Sequence, residues 1–295
     1  MNLVAVDWGT SCLRTARIDD DGSLIEERRS PRGILGVPAG AFPQVLRESC
    51  GDWLDLPDAL CLVSGMAGSR QGWQEAPYCP CPAGFEELAA ALTWIKPGKV
   101  ALVPGLSLDF LGTPDVLRGE EVQVFGAMDL LQLQEGVFVL PGTHCKWVRV
   151  AEGRVQSFTT FMSGEFYAQL RQHSILARTL PAGDGPLDEP AFLRGVRHAQ
   201  QSRSILHSAF SARTLALFDR LPPAALPSYL SGLVIGEELR ARALHGLQVV
   251  LIGEPALTDR YALALRSLGC DSRRLGPEAG WRGLWALARR LETPP

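Results

Sequence analysis

The chain writes one supersecondary unit twice. Val4-Ala5-Val6-Asp7-Trp8-Gly9-Thr10-Ser11-Cys12-Leu13-Arg14 and Val137-Phe138-Val139-Leu140-Pro141-Gly142-Thr143-His144-Cys145-Lys146-Trp147 each read as an apolar strand, a Gly-Thr-x-Cys turn and a second strand. Both second strands run to a further turn, Asp21-Gly22 in one copy and Glu152-Gly153 in the other. Glycine lets the backbone approach a ligand closely, and successive turn N–H groups with hydroxyl side chains donate to phosphate oxygens. Two such tips predict a pair of facing hairpins that grip a polyphosphate, and hence nucleotide-dependent phosphoryl transfer. An ordinary hairpin turn explains either tip alone; the repetition favours the ligand.

The spacing around the two copies is that of an α/β protein. A three-stranded meander is expected over 3–7, 12–18 and 23–30, a helix over 41–54 and a buried strand at 59–63. A helix over 84–92, a strand at 100–103 and a helix over 120–134 complete the first half. The second meander starts at 137 and continues over 146–150 and 155–161. Helices over 165–180, 191–219 and 228–244 follow, with a surface loop at 181–190. A strand at 249–252, helices over 257–268 and 279–291, and a short strand near 271–275 end the chain. The economical reading is two α/β domains of common ancestry, 1–135 and 136–295, with a cleft between them.

Composition narrows the partners. The 295 residues suffice for two cores, and 46% apolar with 21% charged residues fits a folded chain. A net charge of −3 offers no basic footprint for nucleic acid. The seven cysteines are scattered without a CxxC pair, which speaks against a zinc ribbon and for reduced thiols in the cytoplasm. The N-terminus runs directly into a strand, so no secretory signal is read there. No apolar run approaches the ~20 residues that span a bilayer. The expected partner is therefore a small molecule, with a homodimer left open.

Four stretches carry candidate chemistry. Asp7, at a strand end before Gly9, Thr10 and Ser11, is placed to hold Mg²⁺, usually through water. Gly142, Thr143 and His144 form the second tip; His144 either touches phosphate or supports the turn. Gly253-Glu254-Pro255, between a strand and a helix, leaves room for a flat ring or ribose, although such a tripeptide is often a plain turn. Arg118-Gly119-Glu120-Glu121 opens a helix, where a carboxylate could take the proton of an attacking hydroxyl; acids there also commonly just offset the helix dipole. The residues leave Glu120 and Glu121 unseparated.

The loop Ser64-Gly65-Met66-Ala67-Gly68-Ser69-Arg70-Gln71-Gly72-Trp73-Gln74-Glu75-Ala76-Pro77-Tyr78 is dense in hydrogen-bonding groups. Arg70 could fork onto a carboxylate, Gln71 and Glu75 could read hydroxyls, and Trp73 could stack on a sugar face. A surface loop with a half-buried Trp is the plainer alternative. His173, His198, His207 and His245 read as surface or packing residues on helices, and Gly232 and Gly236 as glycines that permit close helix packing.

The order Asp-x-Gly-Thr, second phosphate hairpin, Gly-x-Pro resembles the acetate and sugar kinase, heat-shock chaperone and actin superfamily. More closely, the chain resembles the 2-dehydro-3-deoxygalactonokinases. The matching stretches are Val6–Ser11 with Leu13–Arg14, Ser64–Trp73 with Glu75–Tyr78, Arg118–Glu121, Leu140–Trp147, Phe161–Glu165, His173–Leu176 and Tyr229–Gly232. Cys145 departs from the pattern, where Ser is expected. The resemblance implies two ribonuclease H-like domains of the actin-like ATPase fold, ATP with Mg²⁺, and phosphorylation of 2-dehydro-3-deoxy-D-galactonate at its 6-hydroxyl in galactonate breakdown. It agrees with the residues: a sugar acid wants an Arg such as Arg70 or Arg118, and its hydroxyl wants a base.

Overall fold

The run Leu3-Val4-Ala5-Val6 is wholly buried, which makes strand β1 (Asn2–Trp8) a central strand covered on both faces. The computed structural model describes residues 2–244 and 246–292; His245 lies outside them. β1 pairs antiparallel with β2 (Leu13–Ile18) and parallel with β4 (Ala59–Gly65). β3 (Leu24–Ser30) carries Glu26, Glu27, Arg28 and Arg29 on its exposed edge, charges that discourage pairing with another chain. Helix α1 (Phe42–Cys50) buries Phe42, Val45 and Leu46 against this sheet.

The next elements are β5 (Tyr78–Pro80), α2 (Phe85–Ala90), β6 (Thr93–Lys96), β7 (Val100–Leu102), β8 (Gly105–Phe110), β9 (Thr113–Leu117) and α3 (Glu120–Leu131). The large sheet has the order β3-β2-β1-β4-β7-β6, and β5-β8-β9 form a small separate sheet. Then come β10 (Gly136–Leu140), β11 (Cys145–Ala151), β12 (Arg154–Phe161), α4 (Ser163–His173), α5 (Glu189–Gln201), α6 (Ile205–Ser208) and α7 (Ser211–Leu217). The chain closes with α8 (Leu226–Arg240), β13 (Val249–Ile252), α9 (Pro255–Ser267), β14 (Ser272–Leu275) and α10 (Glu278–Glu292). The second large sheet has the order β12-β11-β10-β13-β14. Each large sheet thus runs third, second, first and fourth strand of its own series, so the repeat in the sequence is a repeat in topology.

The chain groups into two compact units. One holds residues up to Phe138, Trp147–Thr159 and the segment from Leu275 onward; the other holds Val139–Lys146 and Thr160–Arg274. In the first unit α10 packs against α3 with no side chain at the crossing. A Cβ on Gly126 would fall 1.7 Å from the Ala279 carbonyl oxygen, and one on Gly283 would fall 1.8 Å from that of Val122. Gly126→Ala must push the helices apart, and we expect a loss of about 3 kcal/mol or more, read as a lowered urea midpoint at unchanged m-value. In the second unit α5 and α8 cross in the same way: a Cβ on Gly232 would meet the Phe192 carbonyl oxygen at 2.0 Å, which is the packing role expected of that glycine.

Several elements are shorter than their periodicity suggests. The expected helix over 191–219 is three helices, because Ser204 caps α6 by accepting from the Leu206 N–H and breaks the run. The one over 165–180 ends at His173, where Ser174 caps a short 3-10 turn. The strands β5, β6, β8 and β9 are absent from the sequence expectation. The β8–β9 hairpin exposes Phe110 and Leu111 at 70% and 91%, so no alternation marks it.

Candidate functional site

In the first unit the site grows from the end of β1. β2 sets Arg14 opposite Asp7, and the guanidinium grips the Asp7 carboxylate through Nε at 3.1 Å and through Nη2. The following turn is closed by the Gly9 N–H, which donates to the Cys12 carbonyl at 2.9 Å. The Gly9 and Thr10 carbonyls are taken by the N–H groups of Ile34 and Leu35 at 3.0 and 3.3 Å. Thr10 and Ser11 are left exposed at the tip.

β4, parallel to β1, sets Ser64 beside Asp7 and Gly65 beside Trp8. Gly65 and Gly119 have φ of +90° and +102°, which L side chains rarely adopt. A Cβ on Gly65 would sit 3.3 Å from Asp7 Oδ1, and one on Gly119 would sit 3.1 Å from the Gly65 Cα. This close approach carries the start of α3, with Glu120 and Glu121, to the neighbourhood of Asp7. Asp7, Arg14, Gly119, Val122, Gln123 and Trp281 line a small void there.

The two acids differ sharply. Glu121 is wholly buried; its Oε2 accepts the Gly119 N–H at 2.6 Å and its Oε1 accepts the Ser64 hydroxyl at 3.4 Å. Burial first, then the charge of Glu120, pushes its carboxyl up from 4.5 to about 8. Glu120 is half-buried and its Oε2 accepts the Arg118 N–H at 2.9 Å. A carboxyl raised in the folded state binds a proton that the unfolded chain has released. The stability it contributes is therefore complete below about pH 4.5 and is lost as pH rises toward 8. Glu121→Gln should flatten the fall in urea-unfolding free energy between pH 5 and pH 8.

The candidate substrate residues divide into exposed and inward-facing ones. Arg70 and Glu75 pair at 2.8 Å with side chains 85% and 53% exposed, and Gln71 is exposed beside them. Trp73 turns inward, stacked on Phe42 at 6.2 Å and edge-on to Trp8 at 6.3 Å. Arg118 is buried; its Nη2 donates to the Ala76 carbonyl at 2.8 Å and its guanidinium lies 4.2 Å over the Tyr78 ring. Trp73 and Arg118 thus fasten the two ends of the loop that carries Arg70, Gln71 and Glu75.

In the second unit the turn Gly142-Thr143-His144 is pressed against the start of α4. The Glu165 N–H donates to the Thr143 carbonyl at 2.9 Å, and the Glu165 carboxylate meets His144 Nε2 at 2.6 Å. A Cβ on Gly164 would fall 2.3 Å from the Gly142 carbonyl oxygen, so only glycine allows this contact. Gly253 lies beside Pro141, just before the turn, where its Cβ position is 3.7 Å from the Pro141 carbonyl oxygen. Glu254 and Pro255 then start α9. A cavity of about 230 Å³ opens here, lined by Gly142, Gly164, Tyr167, Ser231, Ala256 and Arg260 among others. The structure therefore brings together the second tip and the Gly253–Pro255 turn. Cys145 is not on the tip surface: it is fully buried at the start of β11, and burial holds its thiol well above the usual range.

Sequence reasoning missed Ser64 as a partner of Glu121 and Glu165 as a partner of His144. The first was legible only as the end of a buried strand, the second only as an acid in a first helical turn. It also missed a buried trio in which the Glu238 carboxylate accepts from the Ser163 hydroxyl and from the Tyr261 hydroxyl at 2.8 Å. Among the described residues no cluster of three or more His, Cys, Asp or Glu side chains could hold a metal, and no helix is long and apolar enough to cross a membrane.

Known proteins share both sequence and fold. The Escherichia coli (strain K12) 2-dehydro-3-deoxygalactonokinase is 33% identical over 292 residues, 98% of each chain. A crystal structure of a Sinorhizobium meliloti protein assigned to the same activity superposes with a TM-score of 0.89 at 34% identity, over 99% of this chain and 100% of that one. At 12% identity the Acidaminococcus fermentans (R)-2-hydroxyglutaryl-CoA dehydratase component A shares the fold alone, with a TM-score of 0.54 over 99% of this chain and 100% of that one. The architecture is the actin-like ATPase fold, a ribonuclease H-like α/β arrangement occurring twice. With residues 7–287 matching the pattern of the 2-keto-3-deoxy-galactonokinases from the first tip to the last helix, the chain belongs to that family.

Proposed function

We infer that the protein is an ATP-dependent kinase that phosphorylates 2-dehydro-3-deoxy-D-galactonate on its 6-hydroxyl, as a step of cytoplasmic galactonate breakdown. The observation that carries the reading is the start of α3: in a chain of this family, two carboxyl groups stand at a helix N-terminus brought close to Asp7 by the Gly65–Gly119 contact. Of the two, Glu120 keeps surface and can reach a substrate hydroxyl, whereas Glu121 has none. Glu120 takes the proton of the attacking hydroxyl and orients its oxygen; Glu121 holds the helix start against Ser64 from within.

The residues fit Mg²⁺ and ATP. Mg²⁺ keeps most of its waters and asks for one or two carboxylates, so Asp7 alone suffices on the protein side. When bound, the ion neutralises charge on the transferring phosphoryl group. Thr10 and Ser11 offer N–H and hydroxyl donors to phosphate in one unit, with Gly9 allowing the backbone a close approach, and Gly142, Thr143 and His144 do so in the other. Gly253, Glu254 and Pro255 lead directly into Ala256 and Leu257, which line the cavity that suits the nucleoside end. Arg70 reads the substrate carboxylate, with Gln71 and Glu75 on its hydroxyls. Trp73 and Arg118 keep their loop in shape. We take 1–135 as the half that holds the sugar acid and 136–295 as the half that holds the nucleotide.

The test is ADP release with a panel of 2-keto-3-deoxy acids and neutral hexoses. Turnover confined to 2-dehydro-3-deoxygalactonate supports the reading. Preference for another sugar or sugar acid would move the substrate and keep the chemistry. Slow ATP turnover indifferent to every sugar acid would reject it in favour of a nucleotide-gated module.

A further inference from the structure

We propose that Glu238 is a positioning residue for nucleotide binding, the single acceptor that joins the two nucleotide-facing turns of the second unit. The inference rests on the reading of ATP as phosphoryl donor.

Glu238 is 2% exposed in a helix whose other buried positions carry no charge and are mostly apolar. A carboxylate in such a place costs stability unless its oxygens are bonded, and a hydrophobic side chain would fill the same space without that cost. What the carboxylate adds is direction. Its Oε2 accepts two hydroxyls that belong to two different elements. Ser163 is the first residue of α4, and the next two residues press on the Gly142–Thr143 turn. Tyr261 lies in the second turn of α9, the helix that Pro255 begins. Ser163 and Tyr261 both line the 230 Å³ cavity, whereas Glu238 lines a second one that shares Ser163 and Val234 with it. Burial holds the Tyr261 hydroxyl well above its usual value, so it stays a donor. Moving Glu238 therefore moves both walls that the nucleotide touches, although Glu238 itself does not line that cavity.

The test is ADP binding by calorimetry on the full-length wild type, Glu238→Leu, Glu238→Gln and Tyr261→Phe, with urea midpoints and the KM for the sugar acid alongside. Leu keeps the volume and removes the acceptor; Gln keeps an oxygen that can accept both hydroxyls. We expect Glu238→Leu to weaken ADP about tenfold or more and Tyr261→Phe about three- to fivefold, with the sugar-acid KM within about twofold and Glu238→Gln close to wild type. If Glu238→Leu does not fold, Tyr261→Phe decides alone. Unchanged ADP affinity in the folded variants, a parallel rise in sugar-acid KM, or a Gln variant as poor as the Leu one would overturn the inference. A wild type that binds no ADP would instead bring down the functional reading, and this inference with it.

Discussion

Asp7→Asn is expected to lower kcat by about a thousandfold or more, equivalent to roughly 4 kcal/mol of transition-state stabilisation. The substitution keeps the size of the side chain and removes the charge that would hold the ion. It should leave the fold in place. The Asp7–Arg14 pair keeps some surface, at 27% and 21%, and an amide oxygen at the same place can still accept from the Arg14 guanidinium. The β1–β2 ladder on either side of it is carried by backbone hydrogen bonds and by the buried run from Leu3 to Val6. ADP release and a thermal melt on the same preparation check both halves of this expectation. A variant with more than a tenth of wild-type turnover would remove Asp7 from the reaction; one that melts far earlier would make it a structural residue.

The second large effect separates neighbours. Glu120→Gln should cost about 10²- to 10⁴-fold in kcat, the usual range for loss of a general base, with little change in melting temperature. Glu121→Gln should cost much less in turnover, because the buried amide can still accept the Gly119 N–H and face the Ser64 hydroxyl. Its mark is the pH dependence of stability described above. Equal and mild losses in both variants would take both acids out of the proton transfer. Steady-state rates at saturating ATP and sugar acid, measured at several pH values, distinguish these outcomes.

Much of the architecture was legible because it rests on local chemistry. The Gly-Thr tips, the Asp21-Gly22 and Glu152-Gly153 turns and the apolar runs of β1, β4 and β13 state their own geometry, and the same strand order appears in both large sheets. The strands of the small sheet were silent for the opposite reason: Phe110 and Leu111 face solvent, so hydrophobic alternation carries no message there. The acids of Arg118-Gly119-Glu120-Glu121 were readable as a pair, but their difference depends on burial, which only tertiary contacts decide. Trp73 was readable as an aromatic in a polar loop, but its packing on Phe42 and Trp8 depends on tertiary contacts that the loop's own residues do not state. Glu238 gave no signal at all, since its partners Ser163 and Tyr261 lie 75 and 23 residues away along the chain.

The last helix belongs to the unit that is made first. Trp281, Leu284 and Leu287 sit buried in that unit, and α10 lies on α3 and β1. As the chain leaves the ribosome, the sheet of the leading unit must wait, with one flank bare, until more than a hundred intervening residues have emerged. Assembly of that unit therefore waits for α10, long after its own sheet has been made. Removing α10 would lay bare α3 and β1, made far earlier, rather than the unit made just before it.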